Sequence, residues 1–435
     1  MESIRKLGDE IEDLWREENY DESVFPALAA AALRGADLPS RLADWDLVEW
    51  ALDSGELPPQ KDPQSRFGEP PITLYVGPRF HIDIYIWLEG TTAIHQHGFC
   101  GAFQVMMGSS IHSWYGFECS DAVNSFFQIG RMDLKQCELL ERGAVQEIRP
   151  GSQYIHSLFH LDQPSMTLVV RTDKSALNLP QFSYHKPALA VSPFFEHETT
   201  VKKLQLIAAL FRARHPEIDR LVSQLLERSD LHTTFLILST VHSWLRSDQL
   251  NQLFHVDGLE DRFAGFLEIA SRRHGKRAEI FSAVFARIEI QNEIMRMRGV
   301  VSDSEHRFFL ALLMNVDGRK LIFSLIKQRF PDRDPIEKIL DWAFDLAETR
   351  VFGVNNSNAL GIRDFDNFDL MILENILRDK TADEIRTELA SHYSSEDARG
   401  LIEKLAEREQ RIREAVIFQP LFAPEPQTIA EARQG

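Results

Sequence analysis

The sequence has few cysteines and no long apolar run. Its 435 residues include three cysteines, Cys100, Cys119 and Cys137, and none of them forms a Cys-x-x-Cys pair. An odd number with this spacing argues against a disulfide scaffold and a structural zinc knuckle, and it favours a reducing compartment. No stretch approaches the roughly 20 apolar residues of a membrane span. The acidic, amphipathic N-terminus does not resemble a signal peptide, so we expect a cytoplasmic protein.

An excess of positive charge is also absent. The chain carries 48 Lys and Arg residues against 66 Asp and Glu residues, which gives a formal net charge of −18. This balance disfavours general binding to nucleic acid or to an anionic membrane, and we expect neither partner. The sequence contains no Gly-rich phosphate loop and no Glu-x-x-His pair of the kind found in carboxylate-bridged di-iron bundles. The sequence therefore does not indicate a phosphate-loop enzyme or a di-iron bundle enzyme.

The composition changes along the chain and divides it into regions. Apolar residues recur at helical spacing before a Pro-rich connector, and aromatic and β-branched residues between turns then favour short strands from Ile72 to about Ser192. Only three prolines occur between residues 199 and 417, where helical periodicity dominates. We therefore predict a multidomain α and β protein, with N-terminal helices over 1–58, a closed or jelly-roll β-barrel over 59–198, an all-α domain over 199–418 and a flexible tail over 419–435.

Two histidines mark the candidate site. A predicted strand from Phe80 to Leu88 is followed by His95 and His97, which lie two residues apart on or next to a strand. Side chains at this spacing point to the same side, with roughly 7 Å between their Cα atoms. Imidazole is a common ligand for iron, zinc, copper and nickel, so the pair needs a third donor to form a metal site. The alternative is a pair of surface histidines on an edge strand.

A third histidine supplies that donor. His156 opens a later β-like segment, shortly after a turn at Pro150 and Gly151. With Gly90 before the His-x-His pair and Gly108 after it, the chain resembles the cupin superfamily, whose two motifs place these residue types in this order. The resemblance covers roughly residues 60–195 and implies a jelly-roll barrel that binds a metal through His95, His97 and His156.

One departure from the cupin pattern narrows the resemblance. Gly101 stands where the first motif has a glutamate ligand, and His160 stands where the second has an asparagine. A bare three-histidine site is similar to that of the thiol dioxygenases, the cysteine dioxygenase group. This resemblance implies Fe(II), with O2 and a small thiol as substrates and with both oxygen atoms entering the thiol. Nickel, manganese, copper and zinc also bind neutral imidazoles, so they remain open.

Three further residues are candidates for catalytic roles. His160 lies four residues after His156. Three roles are open for it: a hydrogen-bond partner of a metal ligand, a proton donor, or a histidine packed in the core. Arg171 lies at a strand end and is either a binding group for a substrate carboxylate or a surface arginine. Tyr85 shares a strand face with Asp83 and Trp87, and it would place a hydroxyl near the substrate if that face lines the barrel.

These patterns leave three hypotheses about function. The first is a cupin-fold, metal-dependent oxygenase that acts on a small thiol. The second is a non-catalytic cupin that senses a metal or ligand, with the helical domain binding a protein partner or forming a homodimer. The third is another cupin reaction, such as isomerisation or decarboxylation, because a fold does not determine its chemistry.

Overall fold

The structure is a computed structural model that describes residues 2–61, 63, 67–88, 92–195, 197–247, 259–298, 301–350, 358–392 and 395–422. It has mixed α and β content. Four N-terminal helices are followed by a β-region and then by the helical part of the chain. The N-terminal helices are α1 (Glu2–Glu17), α2 (Phe25–Ala36), α3 (Leu38–Arg41) and α4 (Asp46–Asp53).

The β-region contains eleven strands within the described residues. They are β1 (Pro71–Val76), β2 (Phe80–Trp87), β3 (Ile94–His97), β4 (Gly101–Met107), β5 (Ser110–Asn124), β6 (Phe127–Leu140), β7 (Val145–Ile148), β8 (Gly151–His160), β9 (Ser165–Thr172), β10 (Ser183–His185) and β11 (Leu189–Val191). One sheet has the order β1-β2-β9-β4-β7, and a closed barrel has the order β10-β11-β6-β5-β8-β3. The β-barrel and its accompanying sheet agree with the predicted class.

One predicted strand break does not exist. The sequence predicts separate strands over 125–129 and 134–140, whereas β6 runs without interruption through Gly130. Gly130 lies opposite Cys119 of β5, and a Cβ atom there would come within 2.3 Å of the backbone oxygen of Glu118. The glycine therefore allows two strands to approach closely, and it does not mark a turn.

The N-terminal helices cover the outer face of the five-stranded sheet. Helix α1 buries Ile4, Leu7, Ile11 and Trp15, which fall on one helical face. These residues share an apolar cluster with β2 and β9, which contribute their alternate residues Ile82, Ile84, Leu168 and Val170. Because strand side chains alternate between faces, the other residues of β2 and β9 point away from these helices, toward the interior.

The helical part of the chain packs against the barrel. Its helices are α5 (Glu198–Arg212), α6 (Ile218–Leu226), α7 (Leu231–Ser247), α8 (Leu259–His274), α9 (Lys276–Arg298), α10 (Ser304–Asn315), α11 (Arg319–Arg329), α12 (Pro335–Glu348), α13 (Asn367–Leu377), α14 (Ala382–His392), α15 (Ser395–Glu414) and α16 (Gln419–Phe422). The stretch predicted as a tail thus begins with a short helix, in which Pro420 and Leu421 are buried. In the part of the chain that the structure describes, no helix combines the length and apolar character needed to span a bilayer.

Strand β8 connects the barrel interior with these helices. Tyr154 and Leu158 belong to an apolar cluster inside the barrel, whereas Phe159 belongs to the core of the C-terminal helices. His156 has the same parity as Tyr154 and Leu158, so its side chain points inward. The alternation of β8 therefore places one candidate ligand in the interior and anchors the same strand to the helices.

Candidate metal centre

The three candidate ligands come from two adjacent barrel strands. His95 and His97 lie on β3, and His156 lies on β8, where its Cα atom is the direct partner of His95. A register irregularity between His95 and His97 interrupts the regular pairing of the two strands. Strand pairing therefore brings together residues that are distant in sequence. Gly90, the first glycine of the proposed cupin motif, lies outside the described residues.

The imidazole rings converge closely enough to share one ion. Each of His95, His97 and His156 offers one nitrogen, and these three atoms lie within 4.8 Å of one another. The Nε2 atoms of His97 and His156 are 2.8 Å apart. Two nitrogens that each bind one ion at about 2.1 Å are separated by about 3 Å, so this spacing suits a common ion. A three-histidine cluster of this kind could bind a metal ion inside the β-barrel.

Hydrogen bonds orient two of the three rings. The Nδ1 atom of His95 lies 2.7 Å from the carbonyl oxygen of Ala93, so Nδ1 carries the proton and Nε2 is available as a ligand. The Nδ1 atom of His156 lies 3.0 Å from Nε2 of His112. Outer hydrogen bonds of this type fix the tautomer and the orientation of ligand histidines.

The surroundings of the cluster keep the imidazoles neutral. Burial lowers the pKa of His95, and it holds the pKa of His97 and His156 well below the usual range. The neighbouring imidazoles lower the pKa of His156 further, and His95 and Arg171 do the same for His97. A neutral imidazole is the form that binds a metal ion, so the site needs little proton release before it binds one.

A steric constraint at Gly101 disfavours a glutamate ligand at this position. Gly101 begins β4 and pairs with Arg171 of β9. A Cβ atom at Gly101 would lie 1.9 Å from the backbone oxygen of Val170, a contact that the local backbone cannot accommodate. A side chain at the position where the cupin motif has its glutamate would therefore clash with β9, and the cluster found among the described residues consists of three imidazoles.

The cluster opens into a cavity of about 580 Å³. Its wall is mainly apolar and aromatic, with a few polar and charged side chains, which is the usual composition of a small-molecule site. Besides the three histidines, the lining residues include Trp87, Phe99, Phe103, Tyr85, Asp83 and Arg171. The face of β2 that carries His81, Asp83, Tyr85 and Trp87 therefore lines the cavity.

Tyr85 and Arg171 contact each other in this wall. The Nη1 atom of Arg171 donates to the Tyr85 hydroxyl oxygen at 3.4 Å, and that hydroxyl lies 3.5 Å from Oδ2 of Asp83. The Arg171 guanidinium also lies over the ring of Phe99, with its carbon atom 3.6 Å from the ring centroid. Burial raises the pKa of Tyr85, so its hydroxyl keeps its proton at neutral pH. Arg171 is a half-buried group of the cavity wall and not a surface arginine.

His160 lies behind the cavity wall. It is completely buried, and its ring stacks on Trp87 with 4.6 Å between the centroids. Its Nδ1 atom lies 3.0 Å from the hydroxyl of Ser110 and 2.9 Å from that of Ser165. His160 therefore contacts the cavity wall through Trp87.

The sequence interpretation missed several residues next to the cluster. His112 on β5 contacts His156, and Glu138 on β6 contacts His112. Tyr154 and Trp114 also place polar atoms against His112. The sequence signal for these residues is strand alternation, because His112 and Trp114 lie two positions apart on a predicted strand and therefore point to the same face. Parity alone does not reveal which strands pair, so it could not connect these residues to His156.

Comparisons with known proteins add no family assignment. No protein-family model matches the sequence, and no curated protein matches it. The fold and the cluster therefore provide the basis for an interpretation. A three-histidine site within a β-barrel fits a metal-binding cupin.

Proposed function

We propose that this chain is a cupin-fold, metal-dependent oxygenase that uses Fe(II) and O2 to oxidise a small thiol. The observation that carries the proposal is the convergence of three neutral imidazoles at the wall of a cavity of about 580 Å³. Three neutral donors leave the charge of the ion uncompensated and leave coordination positions open. A thiolate and O2 would bind at these positions.

The donor set fits the proposed ion. Imidazole nitrogens suit Fe(II), and they also suit nickel, copper and zinc, so the ligands do not select the metal by themselves. The steric constraint at Gly101 supports the absence of a carboxylate ligand at the expected position. When bound, Fe(II) would supply electrons to O2 and a positive charge that favours the thiolate form of the substrate.

The surrounding residues would bind and enclose the substrate. The Arg171 guanidinium would bind an anionic group of the substrate through charge-assisted hydrogen bonds, and the Tyr85 hydroxyl would donate a hydrogen bond beside it. Trp87, Phe99 and Phe103 would exclude water from the reacting atoms. The proposed overall reaction joins R–SH and O2 to give R–SO2H. Sulfur loses four electrons and O2 gains them, so no external reductant is required.

The test is anaerobic reconstitution followed by exposure to O2. Purified protein is loaded with Fe(II) and mixed with a panel of small thiols. O2 uptake is measured, and the sulfinate product is identified by mass spectrometry. We expect one O2 consumed per sulfinate formed, and no uptake by the His97→Ala variant. Bound iron without turnover of any thiol would contradict the thiol assignment, and failure to bind any divalent metal would contradict the site.

A second function is favoured by the contacts behind the site. The Ser157 hydroxyl donates to Oδ1 of Asn315, the last residue of α10, at 3.4 Å, and Ser157 adjoins the candidate ligand His156. A structural change at the cluster would therefore be transmitted to α10 through this contact, as a metal sensor requires. Hydrogen exchange with and without metal tests this function. Protection of α10 on metal binding, together with no O2 uptake, would favour the sensor.

A further inference from the structure

A line of hydrogen bonds leads from the candidate cluster to a carboxylate on strand β6. The Nδ1 atom of His156 lies 3.0 Å from Nε2 of His112. The Nδ1 atom of His112 lies 3.0 Å from Oε1 of Glu138. His112 and Glu138 are direct partners in the pairing of β5 with β6, so the backbone itself places the two groups opposite each other.

The partners of Glu138 determine where the proton of His112 lies. Oε1 of Glu138 also accepts from Nε2 of Gln146 at 2.9 Å, and Oε2 accepts from Nε2 of Gln136 at 3.4 Å. Each of these groups donates to the carboxylate, and an ionised carboxylate can only accept. The Nδ1 atom of His112 must therefore carry a proton when it faces Oε1.

Two further polar groups lie beside the His112 ring. An indole nitrogen can only donate, and Nε1 of Trp114 lies 2.7 Å from Nε2 of His112 and 3.0 Å from its Nδ1. The Tyr154 hydroxyl lies 3.1 Å from the same Nε2. The His112 ring is fully buried among these groups. In the tautomer with the proton on Nδ1, Nε2 is the acceptor nitrogen, and the shorter of the two Trp114 distances is to this nitrogen.

We propose that Glu138 and His112 form a positioning relay that holds the proton of His156 on Nδ1 and presents its Nε2 to the bound ion. The relay rests on the proposed metal site, since without an ion it would only orient a ring. His156 Nε2 faces Nε2 of His97 at 2.8 Å, which is the direction that the relay requires. Glu138 and His112 are positioning residues, because neither belongs to the converging cluster.

The relay predicts a measurable effect on metal affinity. Outer partners of ligand histidines typically contribute 10- to 100-fold to metal binding, because they fix the tautomer and raise the basicity of the ligand. We expect His112→Phe and Glu138→Leu to weaken the binding of Zn(II) and Fe(II) by roughly this factor. The conservative variants His112→Gln and Glu138→Gln keep an acceptor at each position and should recover part of the affinity.

The first measurement is competition with a chromophoric chelator under anaerobic conditions. Two variants serve as matched controls. Glu147→Leu removes a carboxylate of strand β7 that pairs with Arg149. His232→Phe removes a buried histidine whose ring stacks on Phe127. Both controls should bind metal as tightly as the wild type. Circular dichroism and thermal melting establish that each variant is folded, and if His112→Phe does not fold, the partly exposed Glu138 provides the test.

The second measurement reports the tautomer directly. Long-range ¹H–¹⁵N spectra of the Zn(II)-loaded, histidine-labelled protein distinguish a protonated Nδ1 from a protonated Nε2. We expect His156 to carry its proton on Nδ1 in the wild type and to change its spectrum in Glu138→Leu. Unchanged affinity and an unchanged His156 spectrum in the folded relay variants would overturn the relay and leave the metal site standing. A wild-type protein that binds neither metal would overturn the proposed function itself.

Discussion

His97 and His156 face each other through their Nε2 atoms at 2.8 Å, although 59 positions separate them in the sequence. Each neutral imidazole has one donor and one acceptor nitrogen, so this contact requires either a shared proton or a shared cation. In the proposed tautomer, His156 donates a hydrogen bond from Nδ1 to His112, so Nε2 of His156 carries no proton. The adjacent ring of His95 supplies a third nitrogen, which a cation can use and a single proton cannot.

Replacing His97 with alanine should remove the metal and preserve the fold. The change leaves two imidazoles, which are too few for stable binding, whereas the apolar clusters of the barrel remain intact. Elemental analysis of protein purified without added metal should show near-complete loss relative to the wild type. His81→Ala is the control, because His81 lines the same cavity but lies outside the converging cluster. Equal metal content in His97→Ala and wild type would rule out His97 as a ligand.

Replacing Arg171 with methionine should weaken the binding of an anionic substrate without affecting metal content. A hydrogen bond to a charged group contributes about 1.5–3 kcal/mol, which corresponds to a rise in KM of roughly 10- to 100-fold. Steady-state O2 uptake with the active thiol measures this change. Arg149→Met removes an exposed arginine that pairs with Glu147 and should leave KM unchanged. An unchanged KM in Arg171→Met would remove Arg171 from the substrate site.

Much of the helical part could be predicted because its signals are local. Apolar periodicity predicts helices over 276–298, 304–315 and 319–329, which are the bounds of α9, α10 and α11, and Asp303 caps the start of α10. The His-x-His pair could be found for the same reason. The third imidazole needed the resemblance to a cupin motif, because no local pattern connects His156 to a strand about 60 residues earlier.

The residues around the cluster could not be predicted because they depend on strand pairing. His112 reaches Glu138 only because β5 pairs with β6, and it reaches His156 only because β5 also pairs with β8. The sequence does not predict strands β10 and β11, because each contains three residues, too few for an alternating pattern. Register is a property of the whole sheet, so a single segment does not encode it.

The ion pair between Lys186 and Asp317 should stabilise the contact of the barrel with the helices. Nζ of Lys186 lies 3.1 Å from Oδ2 of Asp317, and only 11% of the lysine side chain is exposed. Asp317→Asn would leave this buried ammonium, and the Arg287 guanidinium that pairs with the same carboxylate, without a counter-charge, which typically costs roughly 3 kcal/mol in the free energy of unfolding. Urea denaturation measures the loss. In the double variant Lys186→Met/Asp317→Asn, part of the stability should return.

An exposed pair serves as the comparison for this prediction. Arg386 and Asp383 lie three residues apart on α14, and 90% of the aspartate side chain is exposed. Asp383→Asn should therefore cause no measurable change in stability. If Asp317→Asn were as stable as Asp383→Asn, the Lys186 pair would contribute nothing to the contact between the barrel and the helices.

His185 should make the protein less stable as the pH falls below neutrality. Burial lowers the pKa of His185 from 6.5 to about 4. Between these values the unfolded chain binds a proton that the folded chain does not, so the free energy of unfolding decreases as the pH falls through this window. This lowering of the pKa corresponds to about 3 kcal/mol in the free energy of unfolding. The full amount is present above the pKa of the unfolded chain, and it is lost as the pH falls to the pKa of the folded chain.

The His185→Gln variant isolates this contribution, because glutamine keeps a polar side chain and does not titrate. Urea denaturation at about pH 7 and about pH 5, with a chelator present to exclude metal binding, should show a smaller loss of stability for the variant than for the wild type. His197→Gln, at an exposed position before α5, is the control for removing one imidazole from the chain. Parallel pH curves for the wild type and His185→Gln would mean that His185 titrates alike in both states, because only a difference between the folded and unfolded pKa values changes the slope.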